Sequence, residues 1–170
     1  MYTMSHTEDL IKEMYLRIGI FNPHQLNYHK IAKKLGVKVF YWEDTSQALF
    51  LKDLACIFLN KNLTQQQMWQ EFCHELAHVL FHWGNQRRMS ESFRKYQEAK
   101  ANQFMYHACV PSFMLNDLNL NDITYESVQL VSKLFNVEYT FARKKLTQYV
   151  NKNVYCKIKV QTSATYLYRV

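Results

Sequence analysis

The sequence predicts an α+β fold, mostly helical, with a small antiparallel sheet placed ahead of one ligand-bearing helix. Apolar residues recur at three- and four-residue spacing through most of the chain. From Val37 to Asn60 the pattern changes to short β-branched and aromatic runs. Only three glycines and two prolines occur in 170 residues, which argues against a loop-rich sandwich and for helices. With 48% hydrophobic and 21% charged residues the chain is globular, not disordered, and its length suits one domain with a small appendage.

Taken in order, Glu8 to Ile18 carries Leu10, Ile11, Met14 and Ile18 at helical spacing, and Gly19 ends the helix. A second helix is expected from Asn22-Pro23, because proline suits a first turn, through Ile31, Ala32 and Leu35 to Gly36. His24 and His29 fall here and read as surface or core histidines. Strands are expected at Val37 to Trp42, Gln47 to Leu51 and Ala55 to Asn60, with a Lys52-Asp53 turn that lacks a glycine. Thr64 to Gln67 reads as a capping box, after which Met68, Phe72, Leu76, Val79 and Trp83 give a helix one buried side, and Gly84 stops it. The next helix spans Ser90 to Cys109. Beyond Pro111, a short turn places Phe113, Met114 and Leu115 in the core. Helices at Thr124 to Phe135 and Glu138 to Val150, joined tightly at Asn136-Val137, complete a body of residues 1–150. Residues 151–170 are expected to form a strand or hairpin tail, since Val154, Cys156, Ile158 and Val160 alternate with Tyr155, Lys157, Lys159 and Gln161.

The formal charge of +7, from 21 Lys and Arg against 14 Asp and Glu, favours acidic partners. The basic residues are spread as Lys33-Lys34, Arg87-Arg88 and Arg143-Lys144-Lys145, a pattern closer to solvated helix faces than to a phosphate-binding run. No signal peptide opens the chain and no apolar run reaches membrane-spanning length. Cys56, Cys73, Cys109 and Cys156 are widely separated, which is the pattern of a reduced cytoplasmic protein with free thiols. His107-x-Cys109 reads as packing at a helix end, against a second metal site.

The chemistry lies in His74-Glu75-Leu76-Ala77-His78, the H-E-x-x-H pattern. A helix puts the two histidines one turn apart on one face, able to share a zinc ion, with Glu75 beside the first as a general base. Glu71, His74, Glu75, His78 and His82 form a polar stripe next to the buried side. A catalytic zinc takes three protein ligands and keeps one position open. Glu98 on the following helix supplies the third, twenty residues after His78. Asn102 shares its face as a group that orients a ligand histidine through its free ring nitrogen. Ala101 is small enough for close helix approach. The bland alternative pairs Glu98 with Arg94 or Lys95 one turn earlier.

These residues resemble a known family. The H-E-L-A-H motif, Glu98-Ala99-Lys100-Ala101-Asn102-Gln103-Phe104, and Val110-Pro111 are similar to the ImmA/IrrE-type metallopeptidases, over roughly Ile31 to Leu146. The resemblance implies His74, His78 and Glu98 as metal ligands, Glu75 as the base, and a zincin-like fold of the gluzincin group, in which a sheet edge takes up the peptide as an added strand. Lys100 and Met105 depart from the family pattern at positions that are not ligands. The resemblance further implies a zinc-dependent endopeptidase whose protein substrate is a phage or mobile-element helix-turn-helix repressor. His82, Tyr106, His107 and Tyr125 are candidate oxyanion donors. Rival readings are a zinc-binding module that holds the repressor without cutting it, and a DNA-binding regulator using the 124–150 helix pair, with Arg143, Lys144 and Lys145 on its second member. A third rival makes the motif a coincidence with no metal.

Overall fold

The computed structural model describes residues 4–52, 54–81 and 89–167, with side chains through residue 155. Helix α1 (His6–Arg17) begins on Ser5, whose hydroxyl accepts from the Glu8 backbone while Glu8 reaches back to the Ser5 amide. Asn22-Pro23 starts a single 3-10 turn, Pro23–Gln25, and not the longer helix expected there. The Gln25 side chain accepts from the amides of Phe21 and Asn22, which closes that turn locally. Asn27 then caps a separate helix, α2 (Tyr28–Leu35), and Gly36 ends it in the left-handed conformation at φ 71.

The sheet is mixed, not antiparallel. Strands β1 (Lys38–Trp42), β2 (Gln47–Leu51) and β3 (Leu54–Asn60) lie in the order β1-β3-β2, with β1 parallel to β3 and β2 antiparallel to it. The physical reason is burial: β3 carries Cys56, Ile57 and Leu59, all fully buried, so it takes the centre and leaves β2 as an edge. Lys52 turns β2 into β3 at φ 58, a left-handed value adopted without glycine; its expected turn partner Asp53 lies outside the described residues.

β3 leads into α3 (Gln65–Phe81), capped by the Thr64 and Gln67 side chains as expected. Phe72 and Leu76 on α3 are completely buried, each contributing about 1.5–3 kcal/mol of hydrophobic stabilisation. The expected end of this helix at Trp83-Gly84 lies outside the described residues. Helix α4 (Glu91–Cys109) packs along α3, with Ala101 fully buried. The short α5 (Ser112–Asn116) inserts Met114 and Leu115 into the same core. Helix α6 (Tyr125–Leu134), capped by Thr124, turns through Asn136 and packs against α7 (Tyr139–Leu167).

Helix α7 (Tyr139–Leu167) replaces the strand or hairpin expected over 151–170. The two-residue alternation there is real but is overridden. No glycine or proline follows Pro111 to stop the helix. Tyr149 and Lys152 also tie it to the body through Asn116 and Glu8, at 2.5 and 2.6 Å. Cys56, Cys73 and Cys109 are free thiols and buried. Among the described residues no helix is long and apolar enough to cross a membrane.

Candidate metal centre

The spacing of His74 and His78 does on α3 what helical geometry requires, and α4 brings Glu98 across to meet them. His78 Nε2 lies 3.2 Å from His74 Nε2, Glu98 Oε2 lies 3.1 Å from His74 Nε2, and Glu98 Oε1 lies 3.4 Å from His78 Nε2. A tetrahedron with its corners about 2.0–2.1 Å from a central zinc has edges of roughly 3.3–3.4 Å. The three separations lie close to that range, the two to Glu98 ending on its two different oxygens, so two imidazole nitrogens and one carboxylate converge closely enough to hold a zinc ion. Among the described residues this trio is the cluster able to hold a metal. Of the two bland partners for Glu98, Arg94 and Lys95, the second is otherwise engaged, since Lys95 pairs with Glu91 at 2.7 Å.

Glu75 is 7% exposed and accepts a hydrogen bond from the Ala48 amide on β2. Burial, and then the neighbouring Glu71 and Glu98 charges, push its carboxyl up to about 7, while the Ala48 bond pulls the other way. A cation held by the adjacent trio would pull it down again.

These groups open onto a groove of about 1290 Å³, walled by β2, α3, α4 and the start of α7. Asn102 lies on this wall one turn beyond Glu98. Of the candidate oxyanion donors, Tyr106 lines the groove. His107 is turned into a buried network, 2.7 Å from Lys145 Nζ. Tyr125 is exposed and sits against Tyr139, with ring centroids 5.6 Å apart. His82 lies outside the described residues.

The α7 wall was not foreseen from sequence. Gln70 accepts from the Glu138 amide and donates to its carboxylate, both at 2.9 Å, while Gln67 donates to the other oxygen and Gln66 to the Val137 carbonyl. Together they clamp the beginning of α7 onto the beginning of α3. The cluster of glutamines ahead of the H-E-x-x-H motif, read from sequence only as a helix cap, is the one local trace of it. The basic triad on α7 is divided by this packing. Lys145 is 1% exposed, Lys144 is exposed on the wall of the groove, and Arg143 is exposed outside it.

A peptidase-family model described as the IrrE N-terminal-like domain matches residues 26–147. The chain belongs to this family. The match runs from just before α2 into α7, so the IrrE-like region contains the whole metal cluster and groove. The chain is 37% identical to the phage-like element PBSX protein XkdA of Bacillus subtilis (strain 168), over 96% of its own length and 82% of that protein. It is 34% identical to the uncharacterized protein YqaB of the same organism, over 89% and 88% of the two chains. A Mycobacterium tuberculosis transcriptional regulator shares the fold, with a TM-score of 0.57 at 16% identity, covering 80% of this chain and 44% of that one.

Proposed function

We propose that this IrrE-like chain is a zinc-dependent endopeptidase, and that its substrate is a helix-turn-helix repressor of a phage or mobile element. One observation carries the peptidase reading: His74, His78 and Glu98 converge at zinc-ligand spacing, with Glu75 beside them on the wall of an open groove. A zinc ion bound there would supply Lewis acidity, polarising a carbonyl and lowering the pKa of a water towards about 7. The chain's own residues do the rest. β2 is the free edge of the sheet beside the groove, where an extended peptide can add as a strand and lie along the site. Glu75, oriented by the Ala48 amide, takes the proton of the attacking water at its carboxylate and passes it to the leaving amine.

The repressor as substrate, and with it a cytoplasmic site of action and an anti-repressor role, rests on kinship with a protein named for a phage-like element. Incubating the zinc-loaded protein with the repressor encoded beside it should give a defined cut. An intact repressor under those conditions would count against that substrate. If Glu75→Gln protein still relieved repression, the zinc-binding module that captures without cutting would take over. DNA binding through α6 and α7 has less support, because two of the three basic side chains it relied on face the core or the groove.

A further inference from the structure

We propose that Lys144, set over the ring of Tyr106, is a specificity-determining residue that receives a carboxylate of the substrate close to the bond that is cut. The inference rests on the peptidase reading for where the substrate lies, and adds the substrate's chemistry.

The groove is electrically divided. Glu71, Glu75 and Glu98 line it from α3 and α4, Lys144 lines it from α7, and Lys52 lines it from the turn after β2. A lysine on a helix surface ordinarily samples many rotamers in water, but this one has a platform. Its Nζ lies 4.6 Å from the Tyr106 ring centroid, and that ring is stacked on Phe141 at 4.5 Å and 25°. Arg17, Lys61, Lys95 and Lys152 each pair with a carboxylate, whereas among the described residues none pairs with Lys144. Glu138, the acid just before α7 that also lines the groove, has both oxygens taken by Gln67 and Gln70. The structure thus sets a positioned cation on the groove wall while occupying the acid that precedes α7.

The position sets a distance. Tyr106 follows Glu98 by eight residues on α4, an axial rise of about 12 Å. An extended peptide advances about 3.3 Å per residue. Allowing for the reach of both side chains, the carboxylate falls roughly two to four residues from the cut bond. It is either an acidic side chain or the free carboxyl of a chain end.

The test uses fluorescent decapeptides and zinc-loaded Glu75→Gln protein, which holds peptide without turnover, with affinity read by anisotropy. One series places Glu, Gln or Lys at each position from two to four residues on either side of a central alanine-leucine bond. A second compares C-terminal acid with amide. Glu at one position, or the free acid, should bind roughly 5- to 10-fold tighter than its neutral counterpart, and the arm that responds identifies the source. The preference should vanish with Lys144→Met and turn towards Lys with Lys144→Glu, a reversal that a purely structural role for Lys144 would not produce. Equal affinities across each series, a preference that survives Lys144→Met, or no binding of any peptide would overturn the inference. Cleavage by the parent protein separates the two claims. Cutting without charge preference removes the carboxylate subsite alone, while acid-selective binding without cutting removes the peptidase reading and leaves the subsite.

Discussion

Glu75 is a carboxyl placed by three elements: α3 carries it, β2 donates to it from Ala48, and α4 brings Glu98 near enough to feel its charge. Replacing it by Gln keeps the shape and removes the base. Peptide turnover should fall about 10²- to 10⁴-fold, with zinc content unchanged by elemental analysis, and undiminished turnover would remove the base role. A second residue matters for a different reason. Glu8 is buried at the start of α1, within 2.6 Å of Lys152 and bonded to Ser5 and to Ser112, whose hydroxyl also meets Lys145 at 3.1 Å. Removing one partner of a buried ionic network strands the others. Glu8→Ala should therefore cost about 3–5 kcal/mol by urea unfolding. Glu8→Met combined with Lys152→Met should recover much of that loss, because it withdraws the two paired charges together.

The helices that carry the motif were legible because local signals agree there: the Thr64 cap, the apolar spacing of α3, and an acid on α4 that the histidines need. The sheet was legible as three strands but not in its order. Pairing depends on which strand is most buried, and β3 wins that place through Ile57 and Leu59. The tail was misread because alternation over Val154 to Gln161 mimics a strand, whereas the helix is held from outside by contacts distant in sequence, Tyr149 to Asn116 and Lys152 to Glu8. Deleting residues 151–170 should thus remove helical signal in circular dichroism and weaken the fold. The α7 clamp was equally hidden, since Gln70 and Glu138 lie 68 residues apart. Gln70→Ala leaves the Glu138 amide and carboxylate short of partners. It should cost roughly 1–3 kcal/mol in thermal or urea unfolding, and it should loosen the groove wall that α7 forms.

Across the whole molecule, the buried ions under α7 set how the metal-free protein responds to pH. Burial, then the Lys145 charge, hold the His107 ring down at about 4, against 6.5 for an ordinary histidine. The unfolded chain takes up that proton first as pH falls. Stability present above 6.5 is therefore lost towards 4, on the order of 3 kcal/mol. Burial likewise lowers the Lys145 ammonium to about 7 from 10.5, so this group adds stability as pH rises through that window. Urea midpoints of metal-free protein at pH 7 and 4.5 should differ less in His107→Gln than in the parent, because the amide accepts from Lys145 without titrating. The metal itself ties α3 to α4, and with them the peptidase reading stands or falls. Elemental analysis of the purified protein beside His78→Ala and Glu98→Ala should find about one zinc per chain in the parent, lost or weakened in both variants. A parent that holds no zinc after loading and removal of excess would contradict the three-ligand centre and the hydrolysis built on it.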